Sequence, residues 1–223
     1  MPMRLDSAGL PFIIGALTLA GLAGALAPAI TGSAMAAWIA AVPFVVLGGF
    51  FVFFFRDPDR RTPLEAGDDL VLSPADGRVL VAGRADVSAA PEGDWLQVSI
   101  FLSPMDVHVN RMPVSGRVMA VKYHPGRFLP AYRADAGDLN EYTEVTIDHH
   151  GQPIVVRQIV GILARRIVCR ARQGDQVNAG GRFGVMKFGS RMDVFVPTGS
   201  TIHTHVGAKV KGGVTVIATL PHP

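Results

Sequence analysis

The run Gly184-Val185-Met186-Lys187-Phe188-Gly189-Ser190-Arg191-Met192-Asp193-Val194-Phe195-Val196-Pro197 decides how this chain is read. After Ser190, apolar Met192, Val194 and Val196 alternate with Arg191 and Asp193, the period of a β-strand with two different faces. The approach is rich in glycine, at Gly180, Gly181 and Gly184. A strand entry directly after a glycine is a context that could hold a serine for chemistry on its own backbone. Its hydroxyl can attack the preceding carbonyl and cut the chain at that point. Most Gly-Ser pairs are ordinary turns, and Gly199-Ser200 is the natural comparison. It follows Pro197 in what reads as a hairpin loop between Val194–Val196 and Thr201–Val206, so Ser200 is read as the turn and Ser190 as the candidate.

Outward from this run the signals are short strands. Val71-Leu72, Arg78–Val81, Leu96–Phe101, Arg117–Val121, Glu144–Ile147, Ile154–Ile159 and Arg166–Cys169 are strand-like, with Asp76-Gly77, Pro113, Pro125-Gly126 and His150-Gly151 between them. Such spacing predicts a mainly β, sandwich- or barrel-like domain, with one helical or irregular excursion at Ala131–Asn140. A weak repeat, Gly174–Gly180 against Gly207–Gly213, reads in each copy as a turn between strands with one buried valine. It resembles the sandwich-like domain of biotinyl and lipoyl carriers, so the C-terminal part is expected to be barrel-sandwich-hybrid-like. Met186-Lys187 then stands as an alternative site, a carrier lysine awaiting modification.

Composition splits the chain. No charged residue occurs from Ser7 to Phe55, while Arg56 onward is mixed in the manner of a globular domain. A spanning helix needs about 20 apolar residues. The uncharged stretch holds two, near Leu10–Ala29 and Ala34–Phe55, divided by Pro28 and Thr31-Gly32-Ser33. Arg4 precedes the first, and Arg56, Arg60 and Arg61 follow the second. The positive-inside tendency puts both ends on the cytoplasmic side of a cell membrane, as a hairpin; two helices lying in the interface are the alternative. The expected division is 1–55 as membrane anchor and 56–223 as the functional domain.

The net charge of +3 suits an anionic bilayer surface, and no basic run interleaved with aromatics suggests nucleic acid. Cys169 is the lone cysteine, so no disulfide forms within one chain; in Ile167-Val168-Cys169 it reads as structural and buried. His203 and His205 alternate without a further ligand at metal-binding spacing, so no metal is expected. Asp76, in Ser73-Pro74-Ala75-Asp76-Gly77-Arg78-Val79, is either a turn cap or a functional carboxylate. Phe101–Pro113 carries Asp106, His108 and Arg111 along one extended segment, and His108 becomes a base if it can reach a serine.

Together, Phe54–Arg60, Ser73–Val79, Phe101–Pro113, Tyr123–Phe128 and Phe188–Asp193 resemble, in order, the blocks of the phosphatidylserine decarboxylase family in its short bacterial and archaeal form. The resemblance implies a proenzyme that cuts itself between Gly189 and Ser190. The products would be a β chain, 1–189, and an α chain, 190–223, that stay together as a heterodimer; a higher homo-oligomer is left open. It further implies that Ser190 becomes a pyruvoyl group, the only cofactor. That group would form a Schiff base with the serine headgroup and hold the electrons as carbon dioxide leaves. Its substrate would be phosphatidylserine in the bilayer, or archaetidylserine in an archaeal lipid background. Long-form members place a histidine where Arg111 stands, as part of an Asp–His–Ser triad whose aspartate matches Asp76. Arg111 stays protonated and cannot be a base. His108 is therefore expected to activate Ser190, oriented by Asp76 or Asp106, with Arg111 binding the substrate carboxylate or phosphate. An arginine is expected where Tyr142 stands. A carrier modified on Lys187 and a non-enzymatic membrane adaptor are the other classes open at this point.

Overall fold

The computed structural model describes residues 4–63, 68–87, 89–162, 166–187 and 189–221. Phe188, part of the run quoted above, lies outside them. The chain forms two compact units, Met1–Asp59 and Arg60–Pro223.

The first unit is a helical pair, α1 (Leu10–Thr31) and α2 (Ala34–Phe54), both long and apolar enough to cross a membrane. The turn between them is made by Gly32 at φ 70°, which caps α1 through its N–H to the Pro28 carbonyl. Small residues form the seam: Gly24 faces Ala41, and Gly48 faces Ala16 and Leu17. Such a seam lets helix backbones approach closely where no hydrophobic effect drives them together. The outer surfaces stay apolar and exposed, as at Ile30, Trp38, Ile39 and Val46. Short strands β1 (Arg4–Leu5) and β2 (Arg56–Asp57) pair and close the open end.

The second unit is mainly β. Its strands are β3 (Leu70–Leu72), β4 (Gly77–Arg84), β5 (Trp95–Leu102), β6 (Val109–Arg111), β7 (Gly116–His124), β8 (Tyr142–His149), β9 (Gln152–Ile159), β10 (Ile167–Cys169), β11 (Gln176–Val177), β12 (Arg182–Met186), β13 (Ser190–Pro197), β14 (Thr201–Ile202), β15 (Lys209–Val210) and β16 (Val216–Thr219). An eight-stranded antiparallel sheet in the order β11-β7-β8-β9-β13-β5-β4-β15 curls into a half-barrel. Two three-stranded sheets, β10-β12-β6 and β14-β16-β3, complete the unit. Val98, Ile100, Met192 and Val156 from the large sheet share one core with Phe183, Met186, Ile217 and Val71 from the small ones. The Ala131–Asn140 excursion contains a single helical turn, α3 (Ala136–Leu139).

The repeat runs deeper than its glycines. Pro74-Ala75-Asp76-Gly77-Arg78-Val79 answers Pro113-Val114-Ser115-Gly116-Arg117-Val118, and the two copies make the same bonds. Val79 exchanges hydrogen bonds with Gly207 and Ala208, and Val118 with Gly174 and Asp175. Ser73 is bonded by Gly213 and Thr215, and Met112 by Gly180 and Gly181. Gly212 N–H donates to Asp76 Oδ1 at 2.8 Å, while Ala179 N–H donates to Ser115 Oγ at 3.0 Å. The repeat copies thus supply β11 and β15, the two edges of the large sheet, where turns were expected. In both copies the glycine is required by crowding. A Cβ on Gly77 would collide with the Phe101 carbonyl, and one on Gly116 with the Asp148 carbonyl.

The expected hairpin at Gly199-Ser200 is corrected. Ser200 N–H does close a turn onto the Pro197 carbonyl at 3.0 Å, but β14 pairs with β16 and not with β13. The chain there leaves one sheet for another, because both sides of β13 are already taken by β5 and β9. Cys169 is half-buried at the edge of the core, and burial pushes its thiol up from the ordinary cysteine value.

Two predictions follow from this packing. Gly116→Ala should lower stability by about 2 kcal/mol or more, seen as a fall in the thermal midpoint of the purified protein. A raised thiol pKa leaves less thiolate at neutral pH, so iodoacetamide should label Cys169 more slowly than a free cysteine peptide at pH 7. The gap should narrow as pH rises.

Candidate active site

β13 lies inside the large sheet, bonded along its length to β5 and over five residue pairs to β9. Its side chains alternate between two covered faces, so all but Pro197 are buried. Ser190, its first residue, pairs with Leu102 and has no exposed surface. Among the described residues its Oγ has no hydrogen-bond partner. Gly189 before it sits at φ 74°, the left-handed region that glycine enters at low cost. The Gly189 carbonyl is pressed against Gly161, where a Cβ would collide with its oxygen. The 189–190 peptide is thus held between a left-handed residue and a fixed strand.

Across from it runs the segment expected to carry a base. Val185 pairs with Val109, and Met186 N–H donates to the His108 carbonyl at 3.3 Å, while Ser190 pairs with Leu102. His108 is thus bonded to the end of β12 through Met186, and Ser190 is held at the end of β5 through Leu102. His108 is 1% exposed, and its Nδ1 lies 2.9 Å from the Asp106 carbonyl oxygen. The Asp106 carboxylate turns elsewhere, accepting from Ser103 N–H at 2.8 Å and shaping the loop.

The other predicted residues occupy different places. Asp76 is taken up by Arg60, Nη2 to Oδ2 at 2.7 Å and Nη1 to Oδ1 at 2.5 Å, and by Gly212 N–H. It is the counterpart of Ser115 in the second repeat copy. Arg111 is buried, donates from Nη1 to the Gly180 carbonyl at 3.0 Å, and lies against Gly213. Lys187 joins β12 and β13, which belong to different sheets, and so does not sit at the hairpin tip that a carrier lysine requires. Tyr142, standing where an arginine was expected, stacks on His124 at 4.4 Å, and the Arg157 guanidinium lies 4.6 Å above its ring. Arg157, from the neighbouring strand, thereby brings a cation to that position.

Sequence reading missed three features. Gly161 carried no signal, because only its nearness to Gly189 makes it matter. On the second face of β13, Arg191 grips Asp193 through two bonds of 2.7 and 2.9 Å. Ser99 and Gln97 join this buried pair, and Arg191 Nη1 also reaches the Arg133 carbonyl at 3.3 Å, tying the excursion to the strand. The alternation of Arg191 and Asp193 was visible, but not their pairing along one strand. Finally, an apolar cavity of about 350 Å³ opens beside the site, lined by Phe101, Pro104, Pro130, Ala131, Tyr132, Ile162 and Gly189. Met105, Phe128, Tyr132 and Ile162 leave much apolar surface exposed in these segments. The arrangement holds one carbonyl and one buried hydroxyl beside a pocket fit for hydrocarbon.

The sequence profile of the family described as phosphatidylserine decarboxylase matches residues 47–218. Curated relatives called phosphatidylserine decarboxylase proenzyme align over most of the chain. The protein of Salinibacter ruber is 42% identical over 201 residues, covering 87% of this chain and 88% of the relative. That of Chlorobium luteolum is 45% identical over 170 residues, 76% of this chain and 79% of its own. That of Mycobacteroides abscessus is 42% identical over 221 residues, 97% and 88%.

Gly161→Ala should displace the Gly189 carbonyl without touching the serine. Cutting at 189–190 is expected to slow by about 100-fold, since misplacement of about 1 Å has that effect on a reacting group. A time course of the uncut chain on denaturing gels measures it.

Proposed function

The chain belongs to the phosphatidylserine decarboxylase family, and we propose that it converts phosphatidylserine to phosphatidylethanolamine after cutting itself between Gly189 and Ser190. The observation that carries this reading is the buried, unpartnered Ser190 hydroxyl directly after a left-handed glycine whose carbonyl is pinned by Gly161. A buried polar group without a partner is disfavoured in an ordinary core and calls for a functional reason.

Self-cleavage follows from these groups. His108 Nδ1 donates to the Asp106 carbonyl, which leaves Nε2 to accept a proton from Ser190. The freed oxygen attacks the Gly189 carbonyl carbon, and the peptide nitrogen leaves it and is protonated, so an ester replaces the amide. Loss of the Ser190 Cα proton then breaks the Cβ–O bond and releases the Gly189 carboxylate. The dehydrated residue takes up water and releases ammonia. His108 is thus oriented by a backbone carbonyl, with the Asp106 carboxylate holding the loop that carries it.

The pyruvoyl group so made at position 190 would supply a ketone that condenses with the headgroup amine and takes up the electron pair left by carbon dioxide. The residues around it suit that use. Arg191–Asp193 anchors the new end in its strand, and the Phe101–Tyr132 cavity receives the methylenes next to the headgroup. His108 is the proton donor that completes the product. Arg111 donates from Nη1 to the Gly180 carbonyl and is the cation to meet the headgroup carboxylate or phosphate. The apolar helical pair holds the enzyme at its lipid, with Arg4, Arg56, Arg60 and Arg61 favouring the cytoplasmic face.

Intact mass under denaturing conditions tests the reading: two chains, 1–189 and 190–223, the smaller with a blocked, ketone-bearing N-terminus. Ser190→Ala should stay whole and make no phosphatidylethanolamine; retained decarboxylation would overturn the proposal. His108→Ala should remain uncut by about 100-fold or more, and normal cutting would remove His108 as the base.

A further inference from the structure

We propose that Asn110 and Gln158 are positioning residues for the Ser190 hydroxyl, an inference that rests on the self-cleavage reading above. Both side chains are fully buried, and Gln158 Nε2 donates to Asn110 Oδ1 at 2.8 Å. That bond uses half of each amide. Among the described residues, Asn110 Nδ2 and Gln158 Oε1 have no partner, as Ser190 Oγ has none. The three orphans are complementary: an N–H donor, a carbonyl acceptor and a hydroxyl that can serve both.

Register brings them to one place. Gln158 pairs with Met192 on the core face of the large sheet, the face that also carries Ser190 two residues earlier. Diagonal neighbours of this kind lie about 7–8 Å apart, within reach of a long side chain. Asn110 approaches from β6 in another sheet, pairing with Gly184, two residues after His108 in the chain. Gly184 is part of the device, because a Cβ there would strike both the Val168 carbonyl and the Gln158 amide. A structural amide pair would normally have its remaining polar atoms satisfied. Here they are left unsatisfied, and register sets Gln158 on the sheet face that carries the Ser190 hydroxyl. Asn110 Nδ2–H donating to Ser190 Oγ, and Ser190 O–H directed by Gln158 Oε1 until His108 takes the proton, would fix the attacking lone pair.

The experiment replaces the pair by apolar groups of like shape, Asn110→Leu with Gln158→Met, in the full chain purified in detergent. Removing both partners of a buried bond leaves stability nearly unchanged or improved, so a purely structural pair predicts normal cutting. The positioning role predicts an unfolding midpoint at or above that of the wild type. First-order cutting at 189–190 should fall by about 100-fold or more. The plateau of the pH–rate profile should drop while its midpoint stays fixed, because the base is untouched. Should the double variant fail to fold, Gln158→Met alone, close to isosteric, carries the same expectation for the cutting rate, with a lower unfolding midpoint because Asn110 Oδ1 loses its donor. A folded variant that cuts at the wild-type rate overturns the inference and leaves the cleavage reading standing. A wild-type chain that stays whole overturns both.

Discussion

Everything at the site depends on β13 being bonded on both sides and covered on both faces. A strand so held has no freedom to slide, since a shift of one residue would exchange its two faces. Its first residue therefore has one position and one orientation. Placing a serine there puts a nucleophile where a protein would otherwise place a hydrocarbon. Gly189 then supplies the sharp change of direction that turns its carbonyl toward Gly161. The reacting peptide is defined by the architecture more than by any loop.

The two faces of the same strand divide the work. One carries Ser190 with Met192, Val194 and Val196 into the shared core. The other carries Arg191 and Asp193, whose paired charges are satisfied by Ser99, Gln97 and the Arg133 carbonyl. A buried ion pair is weak evidence for stability, but breaking one costs about 3–5 kcal/mol. The pair therefore holds the excursion that walls the apolar cavity in a fixed relation to the serine. Gln97 and Ser99 reach it from the adjacent strand because alternate residues share a face.

Much of this was legible beforehand. Uncharged length marked α1 and α2, period-two alternation marked β13, and the ordered blocks singled out Ser190 and His108. Glycine spacing exposed the repeat, yet its outcome as sheet edges was hidden. Turn and two-residue edge strand share one local pattern, and only pairing with β4 or β7 distinguishes them. Asp76 shows the same limit. Its carboxylate reads from the sequence as a turn cap or a functional group, and nothing in the local string announces the bonds that Arg60 and Gly212 make to it. Gly161, Gln158 and Asn110 left no trace because their meaning lies in long-range juxtaposition. The Ser200 hairpin was misjudged for the reason that β13 had no vacant side.

The cut at Gly189 would fall at the boundary of this strand, so the fragment 190–223 would own the middle of the large sheet, the β15 edge, and β14 and β16 of a small sheet. Such maturation would turn one chain into two pieces threaded through each other. Neither could dissociate without opening the sheet at its centre. Refolding, unimolecular before the cut, would afterwards depend on protein concentration and on a fragment too short to hold structure alone. The mature protein would be stable for kinetic reasons, with a fold whose assembly instructions its own chemistry has erased.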